Sequence, residues 1–222
     1  GDFKGKSGGE IFSSIIGWDT MVSSFAAAND SFKAGLDMSG RRAEHQDQPG
    51  VSVGMAIESL ANALDGWSKV LSGLAGFVTQ ISNIMNLIGL VMMIVGFILN
   101  CFVFTMPIGG LLISAGNILF DIAKVLSTVA GFVSKASSIL SLVGFLLHAV
   151  ALPLVATDPS LLTELTVNFR ALIKERTEST IKKKVEKIGA YEAGRIKQNR
   201  ENKQNAKTKP VQAGPGTQKP TK

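Results

Sequence analysis

Few side chains in this sequence could do acid–base or nucleophilic chemistry. Among the 222 residues there are two histidines, His45 and His148, and one cysteine, Cys101. A single cysteine excludes an internal disulfide and a cysteine-based zinc cluster. His148 has no cysteine, second histidine or clustered carboxylates near it in the sequence, so metal catalysis and a nucleophile triad both lack parts. We therefore predict a non-enzymatic protein with no catalytic residue, no metal and no cofactor.

Three ionisable residues lie in otherwise apolar sequence: Asp121, Lys124 and His148. An ionisable group at membrane depth is a functional hypothesis by default. Asp121 and Lys124 are three residues apart, which fits a mutually neutralising helical pair or a relay along a membrane path. His148 is either a packed residue or a group whose deprotonation permits insertion into lipid. His45, between two acidic residues, is predicted to be a solvated loop residue.

Small polar side chains form a stripe on two predicted helices. They recur at positions i, i+3, i+4 and i+7, which places them on one helical face. The first set is Thr79, Ser82, Asn83 and Asn86, and the second is Ser134, Ser137, Ser138 and Ser141. Such a stripe can hydrogen-bond across packed membrane helices or line a water-filled path.

The two sets belong to an internal repeat. Residues 62–89 align with residues 117–144 at an offset of 55, and 14 of 28 positions are identical. The shared core is KVLSxxAGFV, whose Lys, Ser, Gly and Phe identities exceed what apolar composition alone produces. We interpret the repeat as a true duplication.

The elements that carry these residues are strongly apolar. Charged residues make up 18% of the chain, against about 25% in an average soluble protein. No charge occurs between Lys69 and Asp121, a stretch of 51 residues, and one membrane span needs roughly 20. The candidate spans are residues 84–104, 111–133 and 139–155, the last being marginal because it is short and contains His148 and Pro153.

Both ends of the chain are more polar. Residues 1–50 predict an amphipathic helix, begun by a Ser7–Glu10 capping box, and a linker over 39–50. Residues 51–157 form the predicted duplicated membrane domain. A charged helix is predicted over 158–201, with Asp158 as its N-cap, followed by a disordered basic tail over 202–222.

Positive charge is concentrated at the C-terminal end. The net charge is +6, and from position 170 onward 15 basic residues face five acidic ones. Lys182, Lys183, Lys184 and Lys187 are predicted to contact anionic lipid head groups. Aromatic residues are nearly absent there, so a specific nucleic-acid surface is not supported.

The pattern over residues 51–155 resembles the hydrophobic translocator and pore-forming segments of secreted bacterial toxins and effectors, in which a glycine-rich hairpin is flanked by amphipathic helices. The resemblance implies an all-α, membrane-inserting helical bundle that forms a pore or translocation path. It also implies a soluble state before insertion, a chaperone or secretion machinery as partner, and assembly into a homo-oligomer. The alternatives are a resident membrane scaffold or subunit of a membrane complex, and a soluble bundle that buries its apolar hairpin.

Overall fold

The computed structural model describes residues 17–208, apart from the side chains of residues 183, 190, 193, 196, 197 and 199–208. Within this part of the chain every regular element is helical, which confirms the all-α prediction. The four long helices are α1 (Trp18–Arg41), α2 (Pro49–Asn100), α3 (Met106–Leu154) and α4 (Pro159–Thr208). At about 1.5 Å per residue, α2 and α3 are each roughly 75 Å long.

Two of the sequence predictions placed breaks where the structure has continuous helix. The linker predicted over residues 39–50 is wrong at both ends, because α1 continues to Arg41 and α2 begins at Pro49. A single 3-10 turn, Arg42–His45, fills most of the gap. The candidate spans over 111–133 and 139–155 are not separate segments, since both lie on the continuous helix α3.

Helices α2 and α3 form an antiparallel hairpin around a short turn at residues 101–105. Each helix places a small residue at every seventh position against the other, and all of these residues are buried. We call this interface the small-residue seam. On α2 it consists of Gly54, Ala61, Ser68, Ala75, Ser82, Gly89 and Gly96, and on α3 of Gly109, Gly116, Ala123, Ala130, Ser137, Gly144 and Ala151. The seven-residue period is that of helices that coil around each other with a left-handed twist.

Helix α1 packs antiparallel on the N-terminal half of α2. A Cβ added at Gly66 would meet the Phe32 ring, and one added at Gly73 would meet the Ser24 side chain. The Lys69 ammonium donates to the Ser31 hydroxyl at 2.8 Å. The predicted Ser7–Glu10 capping box lies outside the described residues.

The apolar core lies at the open end of the hairpin, where the start of α4 meets α1, α2 and α3. It contains Met38, Val51, Met55, Val155, Leu161 and Leu165. The predicted N-cap is confirmed, because Asp158 Oδ1 accepts hydrogen bonds from the backbone N–H groups of Ser160 and Leu161 at 3.0 and 3.1 Å. The bond from the Leu161 backbone, followed by one from the Ser160 hydroxyl at 2.7 Å, lowers the pKa of Asp158 to about 2.

His45 lies in the same corner rather than in a solvated loop. Its Nε2 is 3.2 Å from Asp158 Oδ2, and its side chain is mostly buried. The prediction for His45 was wrong because it treated the 3-10 turn as an open linker.

The chain divides into two compact units, residues 1–169 and 170–222. In the second unit, α4 continues as a helix to Thr208. The prediction of a disordered tail from residue 202 was therefore wrong for residues 202–208. Residues 209–222 lie outside the described part. Lys182, Lys184 and Lys187 are exposed, and the side chain of Lys183 is not among those described.

Candidate functional site

The closed end of the hairpin exposes apolar side chains on both helices. We call residues 84–120 the apolar tip. Phe104, in the turn, is 98% exposed, and Leu111 is 72% exposed. The described chain contains two helices long and apolar enough to cross a membrane, α2 and α3, and only 17% and 22% of their most apolar stretches are buried. From Ile84 to Asn100 the α2 side of the tip is about 24 Å long, which is most of the ~30 Å hydrocarbon core of a bilayer.

Within the tip the two backbones are in contact. A Cβ added at Gly96 would lie 2.7 Å from the carbonyl oxygen of Gly109, and one added at Gly116 would lie 2.8 Å from that of Gly89. Real Cβ atoms are not found this close to backbone. Glycine is therefore required at these positions, as in closely packed membrane helices whose interfaces are rich in small residues.

Two serines of the predicted polar stripe join the helices inside the seam. Ser137 Oγ donates to the carbonyl of Ser68 at 2.8 Å, and Ser82 Oγ donates to that of Ala123 at 2.7 Å. Ser82 and Ala123 are the repeat counterparts of Ser137 and Ser68, so the same bond occurs in both copies. Ser68 Oγ also donates to the carbonyl of Ser137 at 2.9 Å.

The remaining stripe residues do not enter the seam. Thr79 and Ser138 bond to the backbone one turn earlier on their own helices, at Ala75 and Ser134. Ser141 is half-buried, and the others are exposed: Asn83, Asn86 and Ser134. The structure therefore divides the stripe into two packing serines and a set of surface residues.

Near the open end of the hairpin, three ionisable side chains meet between α2 and α3. His148 Nδ1 is 2.8 Å from Glu58 Oε1, and His148 Nε2 is 3.1 Å from Asp65 Oδ2. His148 and Glu58 are fully buried, and Asp65 is largely so. Because each ring nitrogen faces a carboxylate oxygen, both donate and the imidazole carries a proton on each. We call Glu58, Asp65 and His148 the ionic base.

The carboxylates keep His148 charged at neutral pH. Burial alone lowers the pKa of His148, but hydrogen bonds to Asp65 and Glu58, and the negative charges of both, outweigh burial and raise the pKa to about 9. In the unfolded chain a histidine loses its proton near pH 6.5.

Between those two pH values the folded protein binds one more proton than the unfolded chain, so we expect stability to fall as pH rises from about 6.5 to about 9. The contribution of the ionic base is fully present below pH 6.5 and is lost as His148 deprotonates. Urea unfolding at pH 6, 7, 8 and 9 measures this slope. The His148→Gln variant, which does not titrate, serves as the control, and an equal slope in both proteins would contradict the assignment.

The two ends of the hairpin differ at positions that the duplication makes equivalent. Asp65 corresponds to Phe120 within the repeat, and the same offset of 55 residues, extended beyond the ends of the aligned segments, relates Glu58 to Ile113 and His148 to Met93. Phe120 lies against Gly89 as Asp65 lies against Gly144. One end of a nearly symmetric interface is thus ionic and the other is apolar.

Asp121 and Lys124 are both exposed, and the ion pairs among the described residues do not join them. Asp121 follows the last residue of the apolar tip, at the level of Asn83 on α2, so charged and amide side chains end the tip on both helices. The mutually neutralising pair predicted from their spacing does not form within α3.

The partners of His148 could not be found by looking near it in the sequence, since Glu58 and Asp65 lie 90 and 83 residues earlier. A signal was present nonetheless. The two carboxylates are seven residues apart, and so share one face of α2. No protein-family model, curated protein or solved structure matches this chain.

Proposed function

We propose that this chain is a membrane-inserting helical module. Its apolar tip enters a lipid bilayer, while the ionic base and the start of α4 remain in water. The observation that carries the proposal is the contrast between the two ends of the hairpin. A tip of this length with apolar side chains on both helices gains free energy on transfer to lipid, whereas burying the charges of Glu58, Asp65 and His148 in lipid would cost it.

The direction of insertion follows from the same contrast. Asp121 and Lys124 follow the apolar tip on α3, as Asn83 precedes it on α2. The turn at residues 101–105 leads, because it exposes the large apolar side chains of Phe102, Val103 and Phe104. Lysines 182, 184 and 187 belong to the second unit and suit anionic head groups by charge.

A single hairpin leaves no opening between α2 and α3, because the small-residue seam brings their backbones into contact. A pore or translocation path would therefore be built between copies. That path, a role in a secreted or injected toxin or effector, and a chaperone or secretion machinery as partner stay predictions from the sequence, as does the alternative of a resident membrane scaffold.

Vesicle flotation tests the proposal. The full chain is mixed with vesicles of phosphatidylcholine and phosphatidylglycerol and centrifuged through a density gradient. The double variant Phe97→Glu, Leu111→Glu places two charges on exposed tip positions. Each charge in the hydrocarbon costs about 2.5–3.5 kcal/mol, so we expect the floating fraction to fall at least about tenfold.

The matched control, Leu36→Glu with Val167→Glu, changes equally exposed apolar residues outside the tip. It should float like the unmodified protein. Equal flotation of the tip variant would contradict insertion through the tip. Release of calcein from the same vesicles reports separately on pore formation.

A further inference from the structure

Helix α3 carries a second apolar surface that no element within residues 17–169 covers. Its residues recur every three or four positions along the helix, the spacing of a coiled-coil interface, except for one step of seven between Leu111 and Ile118, and most are 40–75% exposed. We call it the outer stripe. It consists of Ile108, Leu111, Ile118, Ile122, Val125, Val129, Phe132, Ala136, Ile139, Val143, Leu146 and Val150.

The duplication shows what the outer stripe lacks. In the first repeat, Trp67 contacts the Phe32 ring of α1 at 5.7 Å between centroids, and Phe77 contacts the Trp18 ring at 5.9 Å. Their counterparts in the second repeat are stripe residues, Ile122 and Phe132. These are 41% and 75% exposed. Within residues 17–169, a covering helix is therefore present over the first repeat and absent over the second.

The charges beside the outer stripe indicate which helix fits. Asp121, Thr128 and Lys135 flank it on one side at seven-residue intervals, and all three are exposed. If a second α3 runs antiparallel, Asp121 lies opposite Lys135 of the second copy and Lys135 opposite its Asp121. The two Thr128 residues then meet at the two-fold axis. Opposite charges in such flanking positions set partner and orientation.

We propose that two copies of this chain pair through their outer stripes, antiparallel and in this register. Val125 lies opposite Val129 of the second copy, Ile122 opposite its Phe132, and Ala136 opposite its Ile118. A heptad has two apolar positions. Each layer of the interface thus pairs a residue at one of these positions with a residue at the other position on the second copy. Pairing along the whole of α3 buries on the order of 1,000 Å² or more, enough for a specific interface.

The pairing has a consequence for the tip. In this register Leu111 lies opposite Val143 of the second copy. The C-terminal half of each α3 therefore covers the α3 side of the other tip. The two tips point in opposite directions and cannot enter the same bilayer. The pair is therefore the form in water, and it separates before a tip inserts. The pairing itself follows from helix geometry and charge, and does not depend on the membrane role.

Charge exchange tests the register. The full chain in detergent-free buffer is studied by sedimentation equilibrium, and the unmodified protein should dimerise. Asp121→Lys alone, or Lys135→Asp alone, brings like charges together at two symmetric places and should weaken the dimer by about tenfold. The double exchange restores both opposite pairs and should recover the affinity. A monomeric unmodified protein, or single variants that dimerise normally, would overturn the proposal.

Disulfide crosslinking tests the orientation independently. In a Cys101→Ser background, an equal mixture of the Ala136→Cys and Ile118→Cys variants should form a mixed disulfide dimer on oxidation. Each variant alone should crosslink poorly. Efficient crosslinking of Ala136→Cys with itself would show parallel pairing and overturn the proposal. Unchanged helical circular dichroism verifies that the variants fold.

Discussion

Replacing His148 by alanine is expected to lower the free energy of unfolding by about 3–5 kcal/mol, because removing one member of a buried ion cluster leaves the other charges buried without compensation. The Glu58 side chain is buried against His148, at 4% exposed, so its carboxylate cannot regain water without opening the α2–α3 interface. Urea unfolding followed by circular dichroism at pH 7 measures the loss. A change below about 1 kcal/mol would contradict the assignment of His148 as the centre of the ionic base.

The other end of the hairpin provides the matched control. The triple variant Glu58→Ile, Asp65→Phe, His148→Met installs the residues found at the equivalent positions 113, 120 and 93. Replacing a whole buried ion cluster by well-packed apolar residues is often neutral or stabilising. We therefore expect the triple variant to be at least as stable as the unmodified protein, in contrast to the single alanine variant.

Replacing Gly116 by leucine is expected to destabilise the hairpin by about 1–3 kcal/mol, the usual cost of forcing extra volume into a packed interface. A Cβ at this position would lie 2.8 Å from the carbonyl oxygen of Gly89 and equally close to the Met93 side chain. The backbone oxygen cannot move aside, so α2 and α3 must separate in the part of the hairpin near the turn. The midpoint of thermal unfolding measures the effect.

Gly131→Leu is the control for this change. Gly131 lies on the same helix, and a Cβ there would have no neighbour within 4 Å. Because leucine favours helix over glycine by somewhat less than 1 kcal/mol, this variant should be slightly more stable. Equal destabilisation by both variants would contradict the assignment of the effect to the close approach of the two backbones at Gly116.

Periodicity and composition were sufficient to predict the helical class, the duplication and the N-cap at Asp158. They did not predict one continuous α3. The candidate spans leave a gap at residues 134–138, which contain Lys135 and four small residues. In the structure, Ser137 lies in the seam and Lys135 is exposed, so the same residues serve a long helix with one face in the interface and another in water.

The polar stripe shows a similar limit. Helical spacing groups Ser82 with Thr79, Asn83 and Asn86, but only Ser82 lies on the seven-residue seam. Which of these residues enters the seam depends on which face of α2 packs against α3. The sequence around Ser82 does not determine that face. The partners of His148 were missed for the same reason. Glu58 and Asp65 become its neighbours only after the turn at residues 101–105 sets the register of the hairpin.

The duplicated seam has a consequence for symmetry. Ala75 and Ala130 are equivalent in the two repeats and lie midway along the seam on either helix, so a local two-fold axis passes between them. An antiparallel pair of identical helices must have identical ends, and neither end can be told from the other. Joining both copies in one chain removes that constraint, since each end is then encoded by different residues. Two tandem copies are the smallest arrangement in which the two ends of such a pair can differ chemically.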